Sequence, residues 1–556
     1  MDDFFSYFNL IAFLFFAVLV FASLYRELRF GGPERAGEGL DNEKVFLLLI
    51  FFAALILRLW GFGLIPGGIN QDGAMAAVDG KALADYGTDR FGTWLPAHLY
   101  AWGYGQMSSL LSYLIALFVK LFGLSTVTMR LPQLLASIMG GVCFYLFVRD
   151  AFGRRAGLIA AALIAINPWH MLQSRWALDC NLLPHFFVAG LCFLNRGLRG
   201  RRIWLYVSML FFGLCMYCYG IAIYSVSLFL LLTGLYLAAK KELRIGEFFA
   251  CAALWLLLSW PFIMTMAINY FKWDSISLPF VTMQYFPGSV RSGDILFFSD
   301  DFAAQLVSNI KSFVNVVLLQ KKDLPWNDMQ GFGSMYLFTM PLALPGLYAL
   351  AKEKGSGKSL AVAGLMTGIW VGLVTNNVNI NRVNLVFYFV LLLIVLGLDH
   401  VMEHYRQAIL PTVAIFLYAG AMLAGTYFAD YADSIKRHFY WGFGQALEAA
   451  EDSGADIIYV TADAQAEGYW NVSEIITLFY DGTDALYFQG KSNINKGEEL
   501  LPYKQRFVYR SMDDAVVQTA PDGTAFVAKN SDMLYFPAEE YEVQFYGDYI
   551  CAFKYK

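Results

Sequence analysis

Thirteen long apolar runs divide this chain, and they exclude most folds that are open to a water-soluble protein. Each run is close to the length of roughly 17 to 25 residues that an α-helix needs to cross a bilayer. Hydrophobic residues make up 58% of the 556 residues and charged residues only 15%, so the chain is predicted to be an integral membrane protein. The runs lie near residues 4–25, 44–62, 107–123, 127–147, 156–171, 182–196, 203–219, 221–239, 247–268, 335–351, 360–376, 383–399 and 408–427.

The basic residues between these runs indicate the topology. If all thirteen runs crossed, the basic loop 149–155 would lie on the opposite side from 26–44, against the rule that cytoplasmic loops carry the excess of Lys and Arg. If 107–123 lies along the outer interface instead, the basic loops share one side. They are 26–44, 149–155, 196–202, 240–244 and 352–358. The sequence therefore predicts about 12 crossings of the cytoplasmic membrane, with both termini outside.

The last part of the chain changes character after about residue 428. "ADIIYVTAD", "RFVYRS", "TAFVAKN" and "YEVQFYGDYICAFKYK" are typical of strands, and "SEIITLFYDG" indicates a helical or mixed segment. We predict a transmembrane domain over 1–428, with outer loops 63–126 and 269–334, and a small extracytoplasmic α/β domain over 429–556.

One short motif has the spacing of a metal site. His400, Glu403 and His404 fit the H-x-x-E-H pattern of a metalloprotease class. The motif lies at the cytoplasmic end of a predicted helix, away from the other polar clusters, and isolated short motifs often occur by chance. We therefore expect no metal ion and no cofactor.

The first outer loop carries four aspartates directly after a membrane helix. Asp72 follows the aromatic helix end and is expected at the membrane surface, where a carboxylate can act as a base. Asp79 and Asp85 fall in an Ala- and Leu-spaced stretch that predicts an amphipathic helix, and we expect them on its solvated side. Asp89 is predicted to bind sugar or acceptor hydroxyls, or simply to pair with Arg90.

Two outer arginines supply the opposite charge. Arg175 in "SRWALDCN" and Arg382 in "NINRVN" are both expected at headgroup depth. Either arginine alone has an ordinary interpretation as an interfacial anchor. Two guanidinium groups on the face that carries an acidic loop also fit a phosphate site, because guanidinium binds phosphate oxygens in pairs.

The order of several motifs resembles a known group of enzymes. "NQDGA", "YGTDRFGTWLP", "LFG", "RLP", "FGRRAG", "NPWH", "SR" and "INRVN" follow one another through the membrane part. This series of motifs is similar to that of the GT-C class glycosyltransferases that use polyprenyl-phosphate sugars. That class includes glycosyltransferase family 39, the protein O-mannosyltransferases, and the lipid A aminoarabinose transferases.

The resemblance implies a fold and an activity. It implies a GT-C fold with juxtamembrane helices, and an enzyme that moves a sugar from a polyprenyl monophosphate, such as an undecaprenyl carrier, to a hydroxyl of an extracytoplasmic glycan, lipid or protein. Asp72 matches the residue that acts at the acceptor hydroxyl, and inversion without a metal is expected. Gly73 departs from the common Asp-Glu pair, and "YGQMSS" replaces the Glu-Lys-Pro-Pro stretch of aminoarabinose transferases, which argues against lipid A as acceptor.

The remaining site predictions concern polar residues and competing functions. We assign donor phosphate binding to Arg175 and Arg382, and substrate binding to a set of outer-loop residues: Gln71, Asp89, His98, Gln106, His170 and Asn381. No feature of the sequence indicates a nucleic-acid partner. Two alternatives remain, namely a flippase or transporter of polyprenyl-linked sugars and a non-catalytic glycan-assembly protein. Clustering of charges in outer loops, rather than at the membrane midplane, favours the enzyme.

Overall fold

The computed structural model describes residues 2–30, 42–102, 105–287, 294–321, 323–462 and 470–554. Most of the predicted basic loop 26–44 lies outside the described residues. The described helices are α1 (Asp2–Phe30), α2 (Glu43–Leu59), α3 (Gln71–Tyr86), α4 (Leu110–Phe122), α5 (Thr126–Phe152), α6 (Arg154–Ile166), α7 (Pro168–Gln173), α8 (Leu182–Arg199), α9 (Ile203–Cys215), α10 (Ala222–Ala239), α11 (Ile245–Phe271), α12 (Phe302–Phe313), α13 (Ala343–Lys352), α14 (Ser356–Val374), α15 (Ile380–Val383), α16 (Phe387–His404), α17 (Ile409–Thr426), α18 (Ala432–Ile435), α19 (Phe443–Asp452), α20 (Trp470–Asp481), α21 (Ala485–Phe488), α22 (Tyr503–Arg506) and α23 (Asp514–Thr519).

The strands are short in the membrane part and longer near the C-terminus. They are β1 (His98–Tyr100), β2 (Gln106–Ser108), β3 (Ile276–Leu278), β4 (Val281–Met283), β5 (Ile458–Thr461), β6 (Ile494–Asn495), β7 (Glu498–Glu499), β8 (Phe507–Arg510), β9 (Ala525–Lys529), β10 (Tyr541–Tyr546) and β11 (Tyr549–Lys554).

Among the described residues, seven helical segments are long and apolar enough to cross a membrane, by length and composition. Shorter apolar helices accompany them, so the predicted number of about 12 crossings stays a prediction. The prediction of a multi-pass helical membrane protein with a small C-terminal α/β region is confirmed. The seven segments are Phe5–Arg29, Thr126–Phe152, Ala222–Ala239, Ile245–Phe271, Ser356–Val374, Ile380–His404 and Arg406–Phe439.

Helix α16 lies at the centre of the bundle. Its sequence "FYFVLLLIVLGL" is apolar all round, and nearly every residue of it is buried, as expected for a helix that packs against neighbours on all sides. A Cβ atom added at Gly346 of α13 would lie 1.8 Å from the carbonyl oxygen of Leu393, and one added at Gly397 would lie 1.8 Å from that of Leu342. These two glycines therefore allow α13 and α16 to cross in backbone contact.

The basic loops meet at one end of the bundle. Arg196 pairs with Asp150 at 2.9 Å, and Arg202 donates to the carbonyl oxygen of Glu242 at 3.1 Å, so three of these loops are joined directly. A cavity of about 880 Å³ gathers residues of 26–44, 149–155, 196–202 and 352–358, including Lys44, Arg149, Arg199 and Glu353. We call this end of the bundle the basic end.

Helix α4 does not cross between the two ends. Because α2 starts at the basic end with Glu43 and α5 finishes there with Phe152, the chain from 60 to 125 leaves and re-enters the bundle at the opposite end. The 13 residues of α4 span about 20 Å, which is less than the roughly 30 Å of a hydrocarbon core. This geometry supports the prediction that 107–123 stays at the outer interface.

The C-terminal strands form a mixed five-stranded sheet in the order β10-β11-β9-β5-β8. The hairpin β10–β11 and the pair β11–β9 are antiparallel, whereas β5 runs parallel to both β8 and β9. Helix α20 packs against α3, and the Tyr86 hydroxyl donates to Asp484 at 2.6 Å. The C-terminal region therefore rests on the outer loop that carries Asp72.

Candidate active site

Asp72 lies in the first turn of α3. The side chain of Asn70 caps this helix and accepts the Asp72 backbone N–H at 2.9 Å. The indole Nε1 of Trp102 donates to Asp72 Oδ1 at 2.6 Å, and the carboxylate is half-buried. The helix cap and the indole hold the Asp72 carboxylate in a fixed position, as a general base requires.

The turn Asp179–Asn181 packs beside this helix end. A Cβ atom added at Gly73 would meet the carbonyl oxygen of Ala177 at 3.0 Å, so a larger residue there would press on this segment. Burial raises the pKa of the Cys180 thiol; the charges of Asp179 and Asp72 raise it further, and Arg382 opposes them. Two carboxylates and one guanidinium therefore lie within electrostatic range of one buried thiol.

Arg382 lies in the short helix α15, which Asn379 caps. Its Nη1 donates to the carbonyl oxygen of Asn376 at 2.7 Å, and its Nη2 donates to Asp294 at 3.1 Å. The side chain is 18% exposed, so part of the guanidinium still faces outward. Arg382 therefore shares its charge with Asp294, and like Asp72 it lies within electrostatic range of Cys180.

Arg175 has a different task from the predicted one. Its side chain is fully buried, and its five N–H groups make five hydrogen bonds to neutral oxygens, of the Tyr427 hydroxyl and of the carbonyls of Leu57, Arg58, Trp60 and Ile65. A guanidinium has only five donors, so none is left for a phosphate. This arrangement contradicts the prediction of a phosphate clamp: Arg175 caps the end of α2.

Arg130 was missed by the sequence analysis. It lies in "RLP" of α5, is 1% exposed, and donates from Nη2 to the carbonyl oxygen of Gly68 at 2.6 Å. Its Nε and Nη1 atoms are buried without a hydrogen-bond partner among the described residues. Leaving charged donors buried and unpaired is costly, so an anionic ligand would complete this group.

Three buried arginines share this region. Arg58 donates to the carbonyl oxygens of Ile164 and Ala165, and Arg175 lies close enough to influence the charges of both Arg58 and Arg130. Within the described part of the chain, none of the three forms an ion pair with a carboxylate. The end of the bundle opposite the basic end therefore holds a buried excess of positive charge.

Two aspartates of the first loop differ from their predictions. Asp79 is fully buried, not solvated. It accepts Arg90 Nη1 at 2.6 Å and the Arg90 backbone N–H at 3.0 Å. Burial raises the pKa of Asp79, and Arg90 opposes that shift.

Asp89 is also buried, and it binds the backbone N–H groups of Phe91 and Thr93 rather than the Arg90 side chain. Both aspartates hold the loop together, whereas Asp85 is exposed and pairs with Lys81 as predicted for the solvated side.

The two predicted histidines lie in buried surroundings. His98 packs 4.9 Å from the ring of Phe262, and burial lowers its pKa to about 4, so it is neutral at physiological pH. His170 accepts Arg58 Nη2 on Nδ1 at 2.7 Å. Burial, with the charge of Arg58, lowers the pKa of His170. Neither histidine has a described contact with Asp72.

The other predicted substrate residues lie at varied places. Gln71 begins α3, and its Oε1 accepts the Tyr440 hydroxyl at 3.4 Å. Gln106 lies in β2, and Asn381 precedes Arg382. The side-chain oxygens of Gln106 and Asn381 are buried without a described hydrogen-bond partner. These two oxygens are thus available to accept a hydroxyl.

Comparison with known proteins bears on this arrangement. Residues 108–265 match the model of the family described as dolichyl-phosphate-mannose-protein mannosyltransferase. No curated protein matches the chain. The crystal structure of ArnT from Cupriavidus metallidurans bound to undecaprenyl phosphate is similar, with 15% identity, a TM-score of 0.46, and coverage of 92% of this chain and 98% of that one.

A second solved structure is similar in fold. The Archaeoglobus fulgidus oligosaccharyltransferase in complex with Zn and sulfate gives a TM-score of 0.50 at 14% identity, over 77% of this chain and 61% of that one. This likeness concerns the fold alone. The family match over residues 108–265 and the likeness in fold confirm the predicted resemblance to the GT-C class.

Proposed function

We propose that this chain is a GT-C glycosyltransferase that transfers a sugar from a polyprenyl monophosphate to a hydroxyl group of an extracytoplasmic acceptor, with inversion and without a metal ion in the transfer step. The observation that carries the proposal is Arg130, a buried guanidinium with two unpartnered nitrogens among the described residues. The match to a family named for dolichyl-phosphate-mannose supports a sugar donor on a lipid phosphate.

The charges favour a phosphate as the missing partner. Arg130 offers Nε and Nη1, two charged donors on different edges of the guanidinium, and each of them can bind an anionic oxygen. The neighbouring Arg58 and Arg175 are engaged in hydrogen bonds, yet their positive charge adds to the field in a buried region. Donors in such a region are fixed before the reaction, so they stabilise the charge that develops on the leaving phosphate.

The transfer itself needs one base. In the proposed step, the acceptor oxygen forms a bond to the anomeric carbon while the bond from that carbon to the phosphate oxygen breaks. The hydroxyl proton passes to Asp72, and the electron pair leaves with the phosphate, which Arg130 and Arg382 stabilise. Attack from the face opposite the phosphate inverts the anomeric configuration. Asn381 and Gln106 are proposed to accept substrate hydroxyls through their side-chain oxygens, which have no partner in the described part of the chain.

We further propose that the site faces outward. The end with Asp72 lies opposite the basic end, and positive loops favour the cytoplasm. The C-terminal region, from about residue 429, contacts the first loop through Gln489, which donates to the carbonyl oxygen of Arg90 at 3.1 Å. It therefore lies on the side of the acceptor, which is proposed to be a glycan, lipid or protein of the cell envelope.

The test uses purified full-length protein and a panel of radiolabelled polyprenyl-phosphate hexoses. Sugar release without acceptor and transfer to added acceptors are both measured. Asp72→Asn is expected to reduce transfer by about 100-fold or more, a magnitude typical of a lost general base, while donor binding persists. Asp85→Asn is the matched control, because Asp85 lies on the same helix but pairs with Lys81 at the exposed surface.

The same variants separate the enzyme from a lipid flippase. In sealed liposomes, a flippase would move the labelled lipid equally well after the Asp72→Asn substitution, and it would release no sugar. Near-normal transfer by Asp72→Asn, or equal losses in Asp72→Asn and Asp85→Asn, would contradict the proposed base.

A further inference from the structure

A second polar cluster lies at the basic end, where α1 and α16 finish. Glu27 comes from the last turns of α1, and His400 and His404 are one helical turn apart on α16. One ligand atom from each of the three residues lies within 4.8 Å of the others. Residues four apart lie on one face of a helix, so both imidazoles reach the same carboxylate.

The hydrogen bonds set the orientation of His404. Its Nδ1 lies 2.9 Å from the carbonyl oxygen of His400, which can only accept, so Nδ1 carries a proton. Its Nε2 lies 2.9 Å from Glu27 Oε2. A neutral imidazole in this tautomer would place a lone pair against a carboxylate oxygen, so a cation, either a proton or a metal ion, belongs between them. An imidazole that donates one ring N–H to a carbonyl is typical of metal-ligating histidines.

His400 supplies an independent observation. It is 8% exposed, and its Nε2 atom is buried without a hydrogen-bond partner among the described residues. The His400 and His404 rings have centroids 4.5 Å apart. A buried, unpartnered ring nitrogen is costly, and a metal ion shared with His404 and Glu27 would satisfy it.

Two basic side chains adjoin the cluster and fix its carboxylate and its helix end. Lys352 holds the other oxygen of Glu27, which leaves Oε2 for a single metal bond. Arg26 donates to the carbonyl oxygen of His404 at 3.1 Å and so ties α1 to the end of α16. Two imidazoles and one carboxylate suit zinc and similar divalent transition ions rather than Mg²⁺ or Ca²⁺.

We propose that Glu27, His400 and His404 bind one divalent transition-metal ion, for which Zn²⁺ is the probe, and that the ion links α1 to α16. Bonds of about 2.1 Å in tetrahedral geometry place ligand atoms about 3.4 Å apart, which small rotations of these side chains achieve. The cluster takes its carboxylate from α1, and Glu403 of the H-x-x-E-H motif is outside it.

The experiment measures metal binding directly and does not depend on glycosyl transfer. Full-length protein with an affinity tag that contains no histidine is stripped with a chelator, loaded with Zn²⁺ and desalted, and its metal content is measured. Wild type is expected to hold one equivalent per chain. Loading with Co²⁺ is expected to produce the visible absorption of a nitrogen- and oxygen-ligated ion.

Variants identify the ligands. His400→Ala, His404→Ala and Glu27→Gln are each expected to weaken Zn²⁺ binding by at least about 100-fold, since even outer-shell changes cost 10- to 100-fold. Glu403→Gln is the matched control and is expected to bind as wild type does. In thermal unfolding, Zn²⁺ is expected to stabilise wild type and Glu403→Gln but not His404→Ala, which also shows whether each variant is folded.

Three results would overturn the proposal. The first is wild-type protein that is monodisperse yet holds no stoichiometric Zn²⁺. The second is a folded His400→Ala/His404→Ala double variant that retains the ion. The third is loss of binding in Glu403→Gln equal to that in Glu27→Gln, which would assign the site to the sequence motif instead.

Discussion

Arg175 and Arg130 are both fully buried guanidinium groups at the end of the bundle opposite the basic end, but their hydrogen bonds differ. Arg175 uses all five donors on four carbonyl oxygens and one hydroxyl. Arg130 uses one nitrogen on the carbonyl oxygen of Gly68 and leaves two nitrogens without a described partner. The two side chains are near enough for their charges to interact.

The comparison shows that burial and charge do not identify a functional arginine. A guanidinium that satisfies carbonyl groups at a helix end stabilises the fold, because those carbonyls have no partner within the helix. A guanidinium with unused donors in the same dielectric surroundings lowers stability until an anion arrives. Counting donors and acceptors therefore supports our proposal that Arg175 serves folding and Arg130 serves ligand binding.

The largest expected effect is on transfer, in Arg130→Met. Loss of a desolvated contact to the leaving phosphate is expected to reduce turnover by about 100- to 1,000-fold. Arg130→Lys is expected to restore only part of the rate, because one ammonium cannot bind two oxygens as a guanidinium does. Sugar transfer from the radiolabelled donor measures both.

The thermal stability of Arg130→Met provides the control. Its unfolding temperature is expected to stay at or above that of wild type, since an unpaired buried charge is removed. Wild-type turnover in Arg130→Met would contradict the proposal that Arg130 binds the phosphate. A large loss of stability would indicate that Arg130 supports the fold, as Arg175 does.

Arg175→Met is expected to give the opposite result. Four carbonyl groups would lose their partner, and unsatisfied buried groups cost roughly 1–3 kcal/mol each, so we expect a loss of roughly 3 kcal/mol or more in the free energy of unfolding. Thermal unfolding in detergent measures this loss. Turnover per folded molecule is expected to persist, and its disappearance in a folded Arg175→Met protein would restore the phosphate clamp.

Arg382→Ala tests an arginine that uses only some of its donors within the fold. Arg382 gives some of its donors to Asn376 and Asp294, so its contact with the phosphate is weaker than that of Arg130. We expect a loss of about tenfold in transfer, or about 1.4 kcal/mol of transition-state stabilisation. Asp294→Asn is the control, because it removes the competing charge and is expected to keep or raise the rate.

The smallest effect is expected for Tyr427→Phe. This change removes the hydroxyl that accepts Arg175 Nε at 3.0 Å and leaves the four carbonyl contacts in place. The expected cost is about 1 kcal/mol in unfolding free energy, seen as a small decrease in the unfolding temperature. Transfer is expected to be unchanged, and a rate loss comparable to that of Arg130→Met would place Tyr427 at the donor instead.

The fold was largely predictable from local patterns. Apolar length indicated the membrane helices, Lys and Arg counts placed the basic loops together, and alternating residues predicted β5, β8, β9 and the β10–β11 hairpin. Each of these signals depends on neighbours along the chain, so the sequence contains it directly. The helix that carries Asp79 and Asp85 was predicted for the same reason, and the structure extends it back to Gln71.

The roles of individual polar residues were less predictable. Asp79 was expected on the solvated side of α3, but the loop folds back and covers it with Arg90. Asp179 lies one residue before Cys180 and near Asp72, although 107 residues separate the two aspartates along the chain. The "RLP" motif contributed to the resemblance. However, no pattern within it indicated that Arg130 would leave two nitrogens without a described partner.

The sequence by itself determined a multi-pass helical membrane protein, an acidic loop after its second helix, and a C-terminal α/β region. Hydropathy and charge patterns involve residues that are close along the chain. The sequence is therefore sufficient to predict the features that depend on them. Only the tertiary structure decided which arginine is saturated by carbonyl groups, which aspartate is paired, and which carboxylate faces His400 and His404. Those outcomes depend on atoms from distant segments that approach within about 3 Å, the range over which hydrogen bonds form.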